Sequence, residues 1–553
     1  MGLGLNQGMT LGGSSDAPVD FYIDSVNGSD ANDGAATDSA KQTISSITLS
    51  DGLRIALARG SYWREQFGTD LDPTVNIRVE AYGTGPLPTL DGADVASSGG
   101  WSVNGTHSEV FERTWTHVAA AGQYVSLWED GERLRWVADL TTCAATPGSF
   151  YVPLTTGAGS SLVQYHPTGT TDPGTNGFVV EISTRNYGIV AGYNTSGWRI
   201  EDIAARRSLS NNGSIVAYGP SSVIRRCLAE DGTKHNLFIG EDCLAQDCIA
   251  WKCDWADRTN SSSFVGYTND GRGHSATFQR CVSVMELDKI TAALAGAKGI
   301  QGFLAHTQGA STKWDEINID DCSSYGCTLG ASAGDCEQLN INRFKATEAD
   351  RAASSSAVNA TINDLYGIEG ATVPMLSIYE HAVGSVTLDG VRGYVNSATT
   401  RGDVFNNIST VKVIVQNSVF VHSGTASRFC INGNSTSTDM ESFNNIHSGS
   451  TNMMALRAHG AVDADYNVYY PSTVNFQFAP GPGYSDFPTY QAAESTDQNS
   501  VSADPLLVDP ANGDFGVAEG SPATALAAGL LRPDVTYTAF PTDVALEAMR
   551  SIT

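Results

Sequence analysis

At 553 residues the chain is long enough for several globular cores, or for one core that grows in a single direction. Its 41% hydrophobic content supports a long interior, and a net charge of −28, from 60 acidic and 32 basic residues, argues against nucleic acid and anionic membranes as partners. No run approaches the roughly 18 apolar residues of a membrane span, and the first residues lack the basic start, apolar stretch and cleavage site of a signal peptide.

In chain order, residues 1–19 form a Gly-rich segment that would order only against a partner. Residues 20–100 carry short alternating strands, at Phe21 to Ile23, Leu53 to Leu57 and Val75 to Val79. They are expected to cap and begin a stacked structure. The loop after the first strand places Asp24, Asn27, Asp30, Asn32 and Asp33 ahead of Gly34, an oxygen-rich spacing that a calcium ion would suit. The terminal Glu of an EF-hand loop is missing, and Asn, Asp and Gly are also the ordinary turn formers. From 101 to 195 the character changes to a hairpin around Asp130-Gly131 and further short strands, which predicts a small all-β insertion.

From 196 to 460 a phrase returns with its register intact. It reads Val223-Ile-Arg-Arg-Cys227-Leu-Ala, Leu244-Ala-Gln-Asp-Cys248-Ile-Ala, Thr277-Phe-Gln-Arg-Cys281-Val-Ser and Asn318-Ile-Asp-Asp-Cys322-Ser-Ser, at steps of 21, 33 and 41 residues. Degraded copies follow at Val413 to Phe420 and Ser442 to Ser448. Each copy alternates apolar and polar residues, so a repeat of about two dozen residues with variable insertions predicts stacked strands. The fold expected is an all-β, right-handed parallel β-helix of about ten coils in this region, on the order of 50 Å long. Its repeated cysteines should line the interior as free thiols, with Cys253 and Cys327 in a second, shorter stack. Ala292 to Lys298 is expected to be a short helical excursion. Residues 461–553 turn Pro- and Asp-rich and are expected to complete and cap the rod.

The opening Phe21-Tyr-Ile-Asp with Asn27-Gly-Ser-Asp-Ala-Asn-Asp-Gly, and the ending Asp465-Tyr-Asn-Val-Tyr-Tyr with Asp504-Pro-Leu-Leu-Val-Asp-Pro-Ala-Asn-Gly-Asp-Phe, resemble the ends of the pectate-lyase-like superfamily. That resemblance implies the β-helix and leaves the activity open among lyases, hydrolases, epimerases and non-catalytic members. The Gly-Leu-rich start is similar to bacteriophage tail spike and fibre proteins. This second resemblance implies a virion tail or extracellular location and a homotrimer. It also implies attachment to other tail proteins through residues 1–19, and a host cell-surface polysaccharide as partner. A free polysaccharide lyase or glycoside hydrolase, and a structural decoration protein without catalysis, are the alternatives.

Candidate chemistry falls where the insertions are longest. Asp-Gly-x-x-His occurs at Asp231 to His235 and at Asp270 to His274, with His306 as a partial third copy. If these turns align, hydrolysis would take its two carboxyls from Asp254 with Asp257 or Asp270. Elimination would take a base from His235 or His274 and a cation from Lys234, Arg258 or Arg272. Trp251 and Trp255 would stack on sugar rings. The plainer reading makes Asp-Gly a turn and the histidine its cap. Arg401-Gly-Asp403 reads as a turn.

Overall fold

The structure, a computed structural model, describes residues 18–529 except for internal stretches that include 118–124, 253–260, 269–273, 286–299, 308–312, 369–375 and 396–403. It is a parallel β-helix. Each coil contributes three short strands, and equivalent strands of successive coils pair in parallel, so the rod has three columns. The first column runs through Arg199–Glu201, Val223–Arg225, Cys243–Gln246 and Ser275–Gln279. The second runs through Ala204–Arg206, Leu228–Glu230, Ile249–Trp251 and Val282–Val284. The third runs through Ile189–Ala191, Ile215–Ala217, His235–Ile239, Ser261–Thr268 and Ile300–Thr307.

Why these residues stack is clearest at the bend between the first two columns. Asp202, Arg226, Asp247, Arg280, Asp321, Arg343, Asp364, Asn417 and Asn444 all sit there with φ between 50° and 58°. This left-handed conformation is costly for residues other than Gly, Asn and Asp. The arginines at the bend are compensated by bidentate pairing to the aspartate one coil earlier. Arg226 donates to Asp202 at 2.9 and 2.7 Å, Arg280 to Asp247 at 2.6 and 3.0 Å, and Arg343 pairs likewise with Asp321.

The next residue of each bend points inward and forms the expected ladder. Cys227, Cys248, Cys281 and Cys322 are buried on successive coils. Each thiol donates to a backbone carbonyl of the coil before, those of Ile200, Ile224, Ala245 and Phe278, at 3.4–3.5 Å. Burial pushes the Cys227 and Cys281 thiols up, away from the thiolate. Further along, the same position is filled by Phe344, Leu365 and Val391 and then by Ser418, Asn445 and Asn467. There the side chains cap the preceding coil: Val391 N–H donates to Ser418 Oγ, Ser418 N–H to Asn445 Oδ1 and Asn445 N–H to Asn467 Oδ1. Cys327 is also buried, whereas Cys253 and Ala292 to Lys298 lie outside the described residues.

The insertion consists of two small sheets built between Ala93 and Ser183, around Leu127, Phe150, Val163, Tyr165 and Ile182. It begins and ends somewhat earlier than its composition suggests, because Asp91 still belongs to the second column and Ile189–Ala191 already belongs to the third. A buried charged clasp fastens it to the rod. Trp128 Nε1 donates to Asp231 Oδ2 at 3.2 Å, with Arg133 and Arg207 over its indole faces at 5.7 and 5.3 Å. Arg64 and Arg207 both pair with Glu181, and Arg206 and Tyr62 donate to the fully buried Asp91 at 2.8 and 2.5 Å.

The C-terminal end divides its work. Helix Phe487–Glu494, N-capped by Asp486, closes the last coil, and the buried Asp497 accepts from Asn467, Tyr469, Tyr490 and Ser500. The following segment does not extend the rod. Phe515, Ala523 and Ala528 instead cover Val419, Val421, Ile446 and Val468 along the outside of the second column.

Candidate functional site

The third column presents the most site-like surface among the described residues. Its strands alternate, so Ile189, Ile215, Leu237, Phe264 and Phe303 point into the core while Val190, Val216, Phe238 and Val265 point outward. At the downstream end of this outer face lies a continuous line of rings. Tyr193 stacks on Tyr218 with centroids 3.8 Å apart and planes 18° apart. Tyr218 meets Phe238 at 5.1 Å, Phe238 meets Tyr267 at 5.7 Å, and Tyr267 meets His306 edge-on at 5.0 Å. Tyr218 is buried, Tyr193 is 50% exposed, and Tyr267 and His306 are half-buried. Gly240 lies between the tyrosine-bearing coils because a Cβ there would meet the Tyr218 carbonyl oxygen at 2.2 Å.

Carboxylates flank the rings. Tyr187 Oη donates to Asp70 Oδ2 at 3.3 Å and lies 3.3 Å from Tyr218 Oη, to which Asn212 also donates. Burial raises Asp70 above the usual carboxylate range against the opposing Tyr187 hydrogen bond, and its Oδ1 is buried without a hydrogen-bond partner among the described residues. Glu241, on the coil between Tyr218 and Tyr267, accepts from Thr268 Oγ1. His274 lies between two carboxylates, with Nδ1 2.9 Å from Asp242 and Nε2 3.4 Å from Glu241. Asp70 and Glu241 are three coils apart, about 14 Å at the interstrand spacing. That is beyond the roughly 6.5–9.5 Å that two carboxyls span in an inverting glycosidase.

Of the residues singled out by sequence, Asp231, Lys234, His235, Trp251, His274 and His306 are described. Asp231 is buried in the clasp that holds the insertion. His235 opens a third-column strand and is buried, with Nδ1 unpartnered among the described residues; burial, then the neighbouring Lys234 charge, holds its ring well below the ordinary histidine range. Burial likewise lowers Lys234 and His306. His274 stands at the opposite end of the column, before the first-column strand Ser275–Gln279. Trp251 faces outward from the second column against Val282 and Val284, with Lys252 over its ring at 5.2 Å, and its carbonyl accepts from Asn236 Nδ2, next to His235. Asp254, Trp255, Asp257, Arg258, Asp270 and Arg272 lie outside the described residues, as does Arg401 to Asp403.

The oxygen-rich loop is occupied by its own turns. Asp24 accepts from Val26 N, Asn27 N and Asn27 Nδ2, Asp30 from Gln42 N and Thr43, and Asp33 from Ala35 N and Ser39. Asn32 Nδ2 donates to Ala40 O. Backbone hydrogen bonds from Thr43 and Ala35 hold Asp30 and Asp33 below the usual carboxylate range. Among the described residues no group of three or more His, Cys, Asp or Glu side chains is arranged to hold a metal ion.

The aromatic line escaped the sequence reading, although a signal for it exists. Ile215-Val-Ala-Tyr218, Phe264-Val-Gly-Tyr267 and Phe303-Leu-Ala-His306 are one phrase, apolar, apolar, small, ring, in three coils.

No family model and no curated protein matches the chain. Among solved structures it is similar to one described as the complex of XylC with xylose, at 10% identity over 88% of this chain and 87% of that one, with a TM-score of 0.51. The likeness is one of fold. Looser similarities, at TM-scores of 0.43 and 0.23, are to a glycoside hydrolase (10% identity, 91% and 99% covered) and to the tailspike protein gp49 of Pseudomonas phage LKA1 (11% identity, 78% and 66% covered).

Proposed function

We propose that this β-helix acts on a glycan that lies along the outer face of the third column, and that it cleaves by hydrolysis. The observation that carries the reading is the unbroken line of rings from Tyr193 to His306, with Asp70 one coil before it and Glu241 on the coil between Tyr218 and Tyr267. Aromatic faces offer the C–H faces of sugars a large apolar contact, and carboxyls supply hydrogen bonds and acid–base groups. Asp70, held protonated to higher pH by burial, suits a general acid. The second carboxyl would come from Asp254, Asp257 or Asp270. Elimination would require a fixed cation beside a uronate, and among the described residues around these rings the cation is Lys234, whose charge burial disfavours.

The setting proposed is a virion tail spike or fibre of the pectate-lyase-like class. It would be trimeric, attached through residues 1–19 to other tail proteins and meeting host surface polysaccharide. A free glycoside hydrolase would use the same face. Incubation with a panel of neutral and acidic polysaccharides tests the chemistry. New reducing ends without a rise in ultraviolet absorbance are expected. A rise in absorbance would mean elimination, and neither cleavage nor binding would leave a decoration protein. Light scattering separates the settings, with a trimer expected for the spike and a monomer for the free enzyme.

A further inference from the structure

Building on that reading, we infer that the glycan is cut one sugar from its end. The terminal sugar sits in a cavity at the start of the third column, and the rest of the chain lies on the rings.

The cavity has a cause in the fold. Among the described residues the third column begins at Phe67, which bridges Ile189 on the next coil. The chain one coil earlier is a 3-10 helix at Ile44–Ser46 followed by residues 47–49, and it is not part of that ladder. Between the two lies a cavity of about 260 Å³, lined in part by Ile44, Ser45, Thr48, Leu49, Gln66 and Thr69. It is smaller than the roughly 300–1,000 Å³ of sites for drug-sized ligands, so it suits one sugar and not a length of polymer. Ile44 and Leu49 offer apolar contact to the C–H face of a sugar, and Ser45, Thr48, Gln66 and Thr69 offer hydrogen bonds to its hydroxyls.

The cavity adjoins the ring face at Asp70. Asp70 follows Thr69 of the cavity wall, and its carbonyl accepts from Tyr193 N at 3.2 Å. Tyr187 ties the same parts together: its N–H donates to Gln66 Oε1 and its Oη to Asp70 Oδ2, each at 3.3 Å. Gln66 is fixed in turn by donating to Gly68 O at 2.8 Å.

The two sides of Asp70 are unequal. Downstream, the rings from Tyr193 to His306 cross four coil steps, about 19 Å at the interstrand spacing, which is room for several sugars. Upstream, residues 44–49 stand across the path and leave the cavity alone. A site that cut within a chain would need long contacts on both sides. In the step inferred, the glycosidic C–O bond between the cavity sugar and its neighbour breaks. Asp70 gives its proton to the departing oxygen, water supplies the hydroxyl that replaces it at the anomeric carbon, and the second carboxyl takes the remaining proton.

The full chain incubated with xylan, arabinan, glucomannan or polygalacturonate tests this, with viscosity, reducing ends and products followed together. From a polymer that is cut, a single small sugar is expected from the start, with viscosity nearly unchanged. Ser45 and Thr48 are exposed on the cavity wall, away from Asp70. Ser45→Trp and Thr48→Trp should slow release roughly a hundredfold, the scale of a misplaced substrate, while retardation in affinity gels of that polymer stays near the parent's. Tyr193→Ala should do the reverse, weakening retardation roughly tenfold for loss of one aromatic contact and leaving the single product. Melting temperatures of the three variants verify folding. Rapid loss of viscosity with a mixture of oligosaccharides would overturn the inference and leave hydrolysis standing. Release of one sugar that neither tryptophan slows would also overturn it. No cutting of any of the four polymers would remove the hydrolysis reading itself, and this inference with it.

Discussion

At the scale of single residues, the inward position after the bend shows how one site in the repeat accepts different chemistry. Cysteine, phenylalanine, leucine and valine fill it as apolar groups, and serine and asparagine fill it by satisfying a backbone amide of the preceding coil. Asn445 accepts from Ser418 N and donates to Val415 O and Ser442 Oγ while fully buried. Asn445→Ala should cost about 2–4 kcal/mol, read as a lower denaturant midpoint, because it strands buried polar groups; a midpoint within error of the parent would refute that role. His447 is stacked between Phe420 and Tyr469 in the core, with neither ring nitrogen hydrogen-bonded among the described residues, and burial lowers it to about 3. A folded-state value below the unfolded one of about 6.5 makes its contribution complete above that pH. The contribution is lost as pH falls from there toward 3. Comparing stability with pH for the parent and His447→Phe should show the variant flatter by up to about 1.4 kcal/mol per pH unit. Identical slopes would count against a neutral buried ring.

At the scale of elements, the insertion is held by a few buried groups. Trp128 is fully buried, bonded to Asp231 and contacted over its ring by Arg133 and Arg207. Trp128→Ala should cost about 3–5 kcal/mol and expose the junction, so limited proteolysis should release the insertion while the coils stay intact. An unchanged digestion pattern would mean that the insertion is held elsewhere. The coils were legible in the sequence because the cysteine-bearing bends impose the same demand, a left-handed residue followed by a small inward one, and Arg-Arg-Cys, Gln-Asp-Cys, Gln-Arg-Cys and Asp-Asp-Cys display it directly. The site was not. Asp231 and His235 share a motif with Asp270 and His274, but Asp231 is used for docking and Asp270 lies outside the described residues. The rings of Tyr193, Tyr218 and Tyr267 come together only when coils of unequal length are aligned, and their uneven spacing in the chain conceals that alignment.

At the scale of the whole molecule, one interior runs from Ile23 to Tyr490, and the nine described cysteines are free and buried. Reductant should therefore leave the melting temperature unchanged, and those thiols should resist alkylation until the chain is unfolded. Rapid alkylation of the native protein at Cys227, Cys248, Cys281 or Cys322 would contradict the stacked core. A rod built this way offers long parallel faces, and on the third column the outer face carries an ordered line of rings. Hydroxyl-radical footprinting of the full chain, with and without a polysaccharide that retards it, tests that assignment most directly. Protection is predicted at Tyr193, Tyr267 and His306. Protection confined to the first column or to the insertion, with those three rings as reactive as before, would contradict it.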